Sequence, residues 1–118
     1  MADVVNNFPN NRVETVGGND SVTVSAGRNV TVGLNATLKV ASNQTVTIGK
    51  DCSVTVGKNL KIQAGDSIEL VVGNSKLLMK KDGTIVISGR DIILQASGDV
   101  DVKSGKNLVL KGSKVLQN

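Results

Sequence analysis

The sequence predicts an all-β fold, an intertwined triple-stranded β-helix (a β-solenoid or prism) formed by a homotrimer. Three observations support this prediction. From Val16 to Val56 an aliphatic residue stands at every eighth position, and repeats of fixed length are typical of solenoids and related arrays. A small residue follows each of these aliphatic residues, which allows the chain to bend at a fixed interval. The 118-residue chain has one Phe and neither Trp nor Tyr, which favours a thin core made of aliphatic side chains.

Each eight-residue repeat, here called an octad, contains one short strand and one tight turn. The triplet Val22-Thr23-Val24 shows the pattern: two aliphatic residues flank a polar residue, so both aliphatic side chains face the same side of a strand. Gly and Asn, as at Gly33 and Asn35, then provide the turn. A helix is excluded, because β-branched residues and Gly dominate and no 3.6-residue stripe is present.

An octad spans at most about 27 Å when fully extended, so one octad covers only one side of a three-sided coil. Two architectures satisfy this limit. Either one chain uses three octads per coil, or three identical chains each supply one side of every layer. Strands are predicted to continue after the octads, each rising one inter-strand spacing, at Leu60–Ile62, Ile68–Leu70, Leu77–Met79, Ile85–Ile87, Ile92–Leu94, Val100–Val102 and Leu108–Leu110.

The spacing of these later strands favours the trimer. From Val56 onwards the second aliphatic residues of successive strands are 6, 8, 9, 8, 7, 8 and 8 residues apart. In a single-chain coil, an irregular step displaces the strands on one side only. In a three-fold trimer the same step occurs on all three sides at one height, so the strands of each layer stay matched. A chain without partners would expose its aliphatic rows and its strand edges, which predicts obligate assembly.

The predicted boundaries are a connector at residues 1–13, an octad-repeat β-helix at residues 14–110 and a C-terminal tip segment at residues 111–118. We expect a larger N-terminal part to precede the connector. The predicted core consists of the strand aliphatics Val16, Val22, Val24, Val30, Val32, Leu38, Val40, Val46, Ile48, Val54, Val56, Leu60, Ile62, Ile68, Leu70, Ile85, Ile87, Ile92, Leu94, Val100, Val102, Leu108 and Leu110.

The residues that carry chemistry do not form a catalytic, cofactor or metal motif. The chain has no His and one cysteine, Cys52, and its carboxylates are scattered along the repeats, so we predict neither an enzyme nor a cofactor. The net charge of +4 arises from Lys mixed with Asp and Ser, and the chain has one aromatic residue, Phe8, and so no series of aromatic side chains for base stacking. This predicts a solvated surface and no nucleic-acid partner. We find no secretory signal peptide and no apolar run as long as a membrane span.

The octads resemble those of two related groups of proteins, the central spikes of contractile phage tails and the VgrG spikes of the bacterial type VI secretion system. Val-Thr-Val-Gly at 30–33 and 54–57 carries the general resemblance. The likeness to VgrG is more specific and covers nearly the whole chain. It is carried by Asn10–Arg12 with Glu14–Gly17, Gly73–Lys76, Lys81–Ile85, Ile92–Val100 and Leu110–Val115.

This resemblance implies a structural, membrane-piercing needle at the tip of a contractile injection apparatus. It implies a hub before the needle that contacts an Hcp-like tube, transient contact with the target membrane, and a PAAR-repeat cap or effector at the C-terminal end. The protein would assemble in the bacterial cytoplasm and then be injected. The alternatives are the stem or spike of a phage or bacteriocin tail and a ligand-binding fibre. The predicted contacts with the cap are Lys111, Gly112, Ser113, Lys114, Val115, Leu116, Gln117 and Asn118.

Overall fold

The secondary structure of the protein is all β, as the sequence predicts. The computed structural model describes residues 2–118, and within that range it contains three strands and no helix. Strand β1 is Ser67–Val72, β2 is Ser75–Lys80 and β3 is Ile85–Ser88. They form one antiparallel sheet in the order β1-β2-β3. The chain divides into two units, Met1–Asp51 and Cys52–Asn118.

The first unit is extended chain interrupted by bends. The bends begin every eight residues, at Pro9, Gly17, Ser25, Gly33, Ala41 and Gly49. The residues between two bends belong to no strand and have no strand partner in their own chain. The backbone amides and carbonyls of these segments are therefore available to pair with strands of other chains. Such pairing would supply the hydrogen bonds that backbone groups require once they are buried.

The second unit contains the sheet together with further bends. Before the sheet, bends lie at Gly57–Lys58 and Gly65–Asp66, and after it they lie at Ser97–Gly98, Gly105–Lys106 and Gly112–Ser113. Within residues 2–118, the backbone–backbone hydrogen bonds that the structure shows all fall between residues 66 and 88. The sheet is therefore the part of the described chain that satisfies its own backbone.

Two tight turns reverse the chain and create the sheet. Val72 pairs with Ser75, which leaves a two-residue loop whose first residue, Gly73, has a φ of 53°. Gly at this position is characteristic of the type II′ turns that join antiparallel strands. In the second turn Gly83 N–H donates to the Lys80 carbonyl oxygen at 3.1 Å, and Gly83 has a φ of 93°. Three-residue hairpin loops commonly consist of a type I turn followed by a residue with positive φ, and Gly83 takes that last position.

The sheet corrects one prediction about the chain path. Ile68–Leu70, Leu77–Met79 and Ile85–Ile87 are not three successive layers that each rise along an axis. Instead they lie in β1, β2 and β3 and pair with one another inside a single chain. The physical reason is the backbone conformation at Gly73 and Gly83, which folds the chain back on itself, whereas the bends between octads do not. The nine-residue step from Leu70 to Met79 spans the first hairpin.

Candidate functional site

The octads present two exposed aliphatic rows. In Val22–Val56 the first aliphatic residue of each triplet is 64–73% exposed and the second, which precedes the bend, is 44–52% exposed. No residue in the described chain is buried. Burying an aliphatic side chain contributes about 1.5–3 kcal/mol, and the rows contain many such side chains. A second surface that covers the rows would therefore stabilise the chain strongly.

The sheet adds a continuous apolar face, here called the sheet face. Its seven residues alternate along the strands and lie opposite one another across them: Ile68 pairs with Met79, which pairs with Ile85, and Leu70 pairs with Leu77, which pairs with Ile87. Val72 completes the face at the end of β1. Most of these side chains are exposed, with Ile85 at 65% and Ile87 at 63%.

The sheet face continues into an open cleft of about 400 Å³. Leu70, Leu77 and Ile87 line it from the sheet, and Ile92 and Ile93 line it from the segment that follows β3. The opposite side of the sheet is mixed, because Glu69, Lys76 and Lys80 alternate there with Val71, Leu78 and Val86. The sheet is therefore amphipathic, and its apolar side is the one suited to contact another apolar surface.

Four of the predicted core residues lie on the sheet face, namely Ile68, Leu70, Ile85 and Ile87. The sequence predicts a strand at Leu77–Met79, but the predicted core includes neither Leu77 nor Met79, and it lacks Val72. The signal that could have identified them is the pair of apolar runs Leu70–Val72 and Leu77–Met79 on either side of Gly73-Asn74, because two such runs joined by Gly-Asn are typical of a hairpin.

Ion pairs between charged side chains contribute little to the stability of the fold. The ion pairs are Lys81 Nζ with Asp66 Oδ1 at 3.3 Å, Arg90 Nε with Asp91 Oδ2 at 3.5 Å, and Arg12 with Glu14. All of these side chains are more than half exposed, and exposed pairs typically contribute less than about 1 kcal/mol. Burial of the aliphatic rows would consequently contribute more to stability than these exposed ion pairs do.

The fold changes the titration of Asp82. The Thr84 backbone N–H donates to Asp82 Oδ1 at 2.9 Å, and this bond, together with one from the Thr84 hydroxyl, holds the pKa of the Asp82 carboxyl below its ordinary value of 3.8. Because a hydrogen bond to the charged form favours ionisation, the contact is made fully at neutral pH. It fixes the second hairpin turn.

We expect the Thr84 amide to report a loss of this turn contact in acid. A lowered folded-state pKa means that the stabilisation is complete above the ordinary pKa of 3.8 and disappears as the pH falls through the lowered value. The measurement is the ¹H–¹⁵N chemical shift of Thr84 between pH 7 and pH 2. In Asp82→Asn the amide oxygen can still accept the bond but cannot titrate, so this variant should show no such transition. An identical transition in Asp82→Asn would contradict the assignment.

The predicted tip segment is exposed throughout. It bends at Gly112–Ser113, and Val115 and Leu116 are 68% and 88% exposed. The segment lies outside the three strands of the sheet.

The described residues show no cluster of His, Cys, Asp or Glu that could hold a metal ion. Cys52 is exposed and forms no disulfide. Within residues 2–118 no helix has the length and hydropathy of a membrane span.

Comparison with known proteins identifies the chain by its repeat region. The family model of the bacteriophage T4 gp5 C-terminal trimerisation domain matches residues 2–80, which include the octads, β1 and β2. No curated protein sequence matches the chain. Trimerisation agrees with the predicted homotrimer and explains why one chain leaves its aliphatic rows uncovered. This match to more than half of the chain shows that the protein belongs to the family of the bacteriophage T4 gp5 C-terminal trimerisation domain, and it is a homotrimer with a structural role like that of a phage-tail spike.

Proposed function

We propose that the trimer is an intertwined triple-stranded β-helix that serves as the membrane-piercing needle of a contractile injection apparatus. The observation that carries this proposal is the pair of exposed aliphatic rows at eight-residue spacing, on segments whose backbone has no strand partner in its own chain. Three copies wound about one axis would bury the rows and pair the free strand edges at the same time. A single chain of this sequence achieves neither.

The proposed assembly explains how such a chain could transmit force. Backbone hydrogen bonds between stacked strands would run along every side of the prism and share an axial load among many ladders. Because each layer would contain all three chains, one protomer could not separate alone, which gives high kinetic stability. The role is mechanical and not catalytic, since the chemistry of the side chains is that of a packed core and a solvated surface.

We further propose that the apparatus is a type VI secretion system and that the chain is the needle of a VgrG spike. The segments Gly73–Lys76, Lys81–Ile85 and Ile92–Val100 support this choice through their resemblance to VgrG. The needle would be joined through a preceding hub to an Hcp-like tube, assembled in the bacterial cytoplasm and then driven into the target membrane. A second candidate, the spike of a phage or bacteriocin tail, is favoured by the family match over residues 2–80.

The C-terminal end of the needle is proposed to bind a PAAR-repeat cap through Lys111–Asn118. The exposed pair Val115 and Leu116 would pack against the cap, and Lys111 and Lys114 would provide hydrogen-bond donors at its rim. In a trimer three copies of this segment would meet at one end. They would offer the cap a three-fold arrangement of identical contacts.

A cap-binding experiment tests the proposal. Isothermal titration of a PAAR-repeat protein into the full-chain trimer should give one cap per three chains, and a chain that ends at Leu110 should give no measurable binding. Light scattering of both proteins is the control, because each should have three times the mass of its chain. Equal binding by the shortened chain would refute the proposed tip contacts. Failure of the full chain to bind any PAAR-repeat protein would favour the phage or bacteriocin spike.

A further inference from the structure

The sheet face is a large apolar surface that its own chain leaves uncovered. Cross-strand pairing places Ile68, Met79 and Ile85 in one line and Leu70, Leu77 and Ile87 in the next. Such a surface on a soluble chain marks an interaction site. Since the apolar residues occupy one side of the sheet and Glu69, Lys76 and Lys80 occupy the other, the site has a defined orientation.

The occupant that this surface fits is a second and a third copy of the same chain. The protein forms a homotrimer, and β1 and β2 lie inside the segment that matches the trimerisation family. Three copies of one amphipathic sheet around a three-fold axis would place three identical apolar faces against each other. All side chains on the face are Val, Ile, Leu or Met, which pack closely without requiring polar partners.

The octads alone cannot define how the three chains align. A shift of one chain by eight residues replaces Val30-Thr31-Val32 with Val22-Thr23-Val24, which is the same triplet, and it places bend on bend. Such a slip loses contacts only at the ends of the array. Repetitive strands are prone to register errors for this reason.

The sheet does not repeat. Its strands contain six, six and four residues, and its two turns have different lengths. A slip of eight residues would move the sheet face of one chain away from those of its partners and expose all three. We propose that the sheet face is a homotypic interface that fixes the register in which three copies of this chain associate. This inference depends on the homotrimer and not on the proposed secretion role.

Leu70 and Val71 provide a matched test, because they are neighbours in β1, lie on opposite sides of the sheet and are each 59% exposed in the single chain. Leu70→Glu places a carboxylate on the sheet face, and we expect about a tenfold or larger loss of trimer after refolding. Val71→Glu places it opposite Lys76 on the mixed side, and we expect trimer yield to remain within about twofold of wild type. The measurement is light scattering after refolding from denaturant.

A separate experiment measures the register in the variant Ile87→Ala, which shortens a side chain of the sheet face without adding charge. A nitroxide on Cys52, the sole cysteine, reports distances between the three chains by pulsed electron paramagnetic resonance. Wild type and Val71→Glu should give one distance population. Ile87→Ala should give additional distances from slipped trimers, or no trimer at all, and either result supports the inference. An Ile87→Ala trimer with the wild-type distance, or equal trimer loss in Leu70→Glu and Val71→Glu, would overturn it.

Discussion

Replacing Val32 with Asp is expected to abolish the trimer. Val32 is the second aliphatic residue of its octad and belongs to the less exposed row, at 52% in the single chain. In the trimer the substitution would bring three carboxylates to one height inside an aliphatic layer. Moving an ionised carboxylate out of water costs on the order of several kcal/mol even after relaxation, and three like charges would also repel one another. Light scattering should show monomer or aggregate in place of three associated chains.

Thr31 is the control for this experiment. It is the neighbour of Val32 in the same triplet, and alternation along an extended segment directs it to the opposite side. Thr31→Asp should therefore keep the trimer mass, with a change in stability within about 0.5 kcal/mol. If Val32→Asp formed a trimer as readily as Thr31→Asp, the aliphatic rows would not face the interior of the assembly.

Removing one complete octad, residues 33–40, is expected to leave a trimer that is shorter by eight residues per chain. The deletion joins Val32 to Ala41, so the bend at Ala41–Ser42 takes the place of the bend at Gly33–Leu34. Every later aliphatic residue keeps its phase relative to the bends. We expect cooperative unfolding as in wild type, with a lower midpoint because fewer aliphatic side chains are buried.

Removing half an octad, residues 33–36, is expected to prevent assembly. This deletion joins Val32 to Thr37 and produces seven residues in strict alternation, from Val30 to Val40, without a bend. The chain would run past the position at which it must turn, on all three sides at one height, so the prism could not close at that layer and the octads before and after it would no longer stack. Circular dichroism and light scattering would reveal the loss as reduced β signal and aggregation. An assembled half-octad variant would show that the bend interval does not determine the assembly.

These experiments separate two contributions to assembly. The octads supply most of the aliphatic surface in a form that tolerates removal of whole repeats, while the sheet supplies a surface of fixed position. A variant that damages an octad should therefore lower stability or abolish the trimer. A variant that weakens only the sheet face should lower the trimer yield or change which residues of the three chains lie opposite one another.

Sequence alone determined the all-β class, the spacing of the bends and the need for partner chains. Those features follow from local chemistry, since Val-Thr-Val triplets favour strands and Gly or Ser permits a bend. A chain with one Phe and neither Trp nor Tyr also lacks the bulky side chains on which an ordinary globular core depends. The homotrimer, first predicted from the spacing of the aliphatic residues, is supported independently by the family match. The predicted core as a whole and the tip contacts of Lys111–Asn118 remain predictions.

Only the tertiary structure decided that β1, β2 and β3 pair with each other within one chain. Gly73 follows Gly65 by eight residues, which is the interval of the octad bends, so spacing alone does not separate a bend that continues the path from a turn that reverses it. The difference lies in φ at Gly73 and Gly83 and in the hydrogen bonds that close the two hairpins. That reversal brings Leu77 and Met79 beside Ile68 and Leu70 and so creates the sheet face. The sequence did not predict this face, because strand pairing is a long-range property that the local spacing of aliphatic residues does not encode.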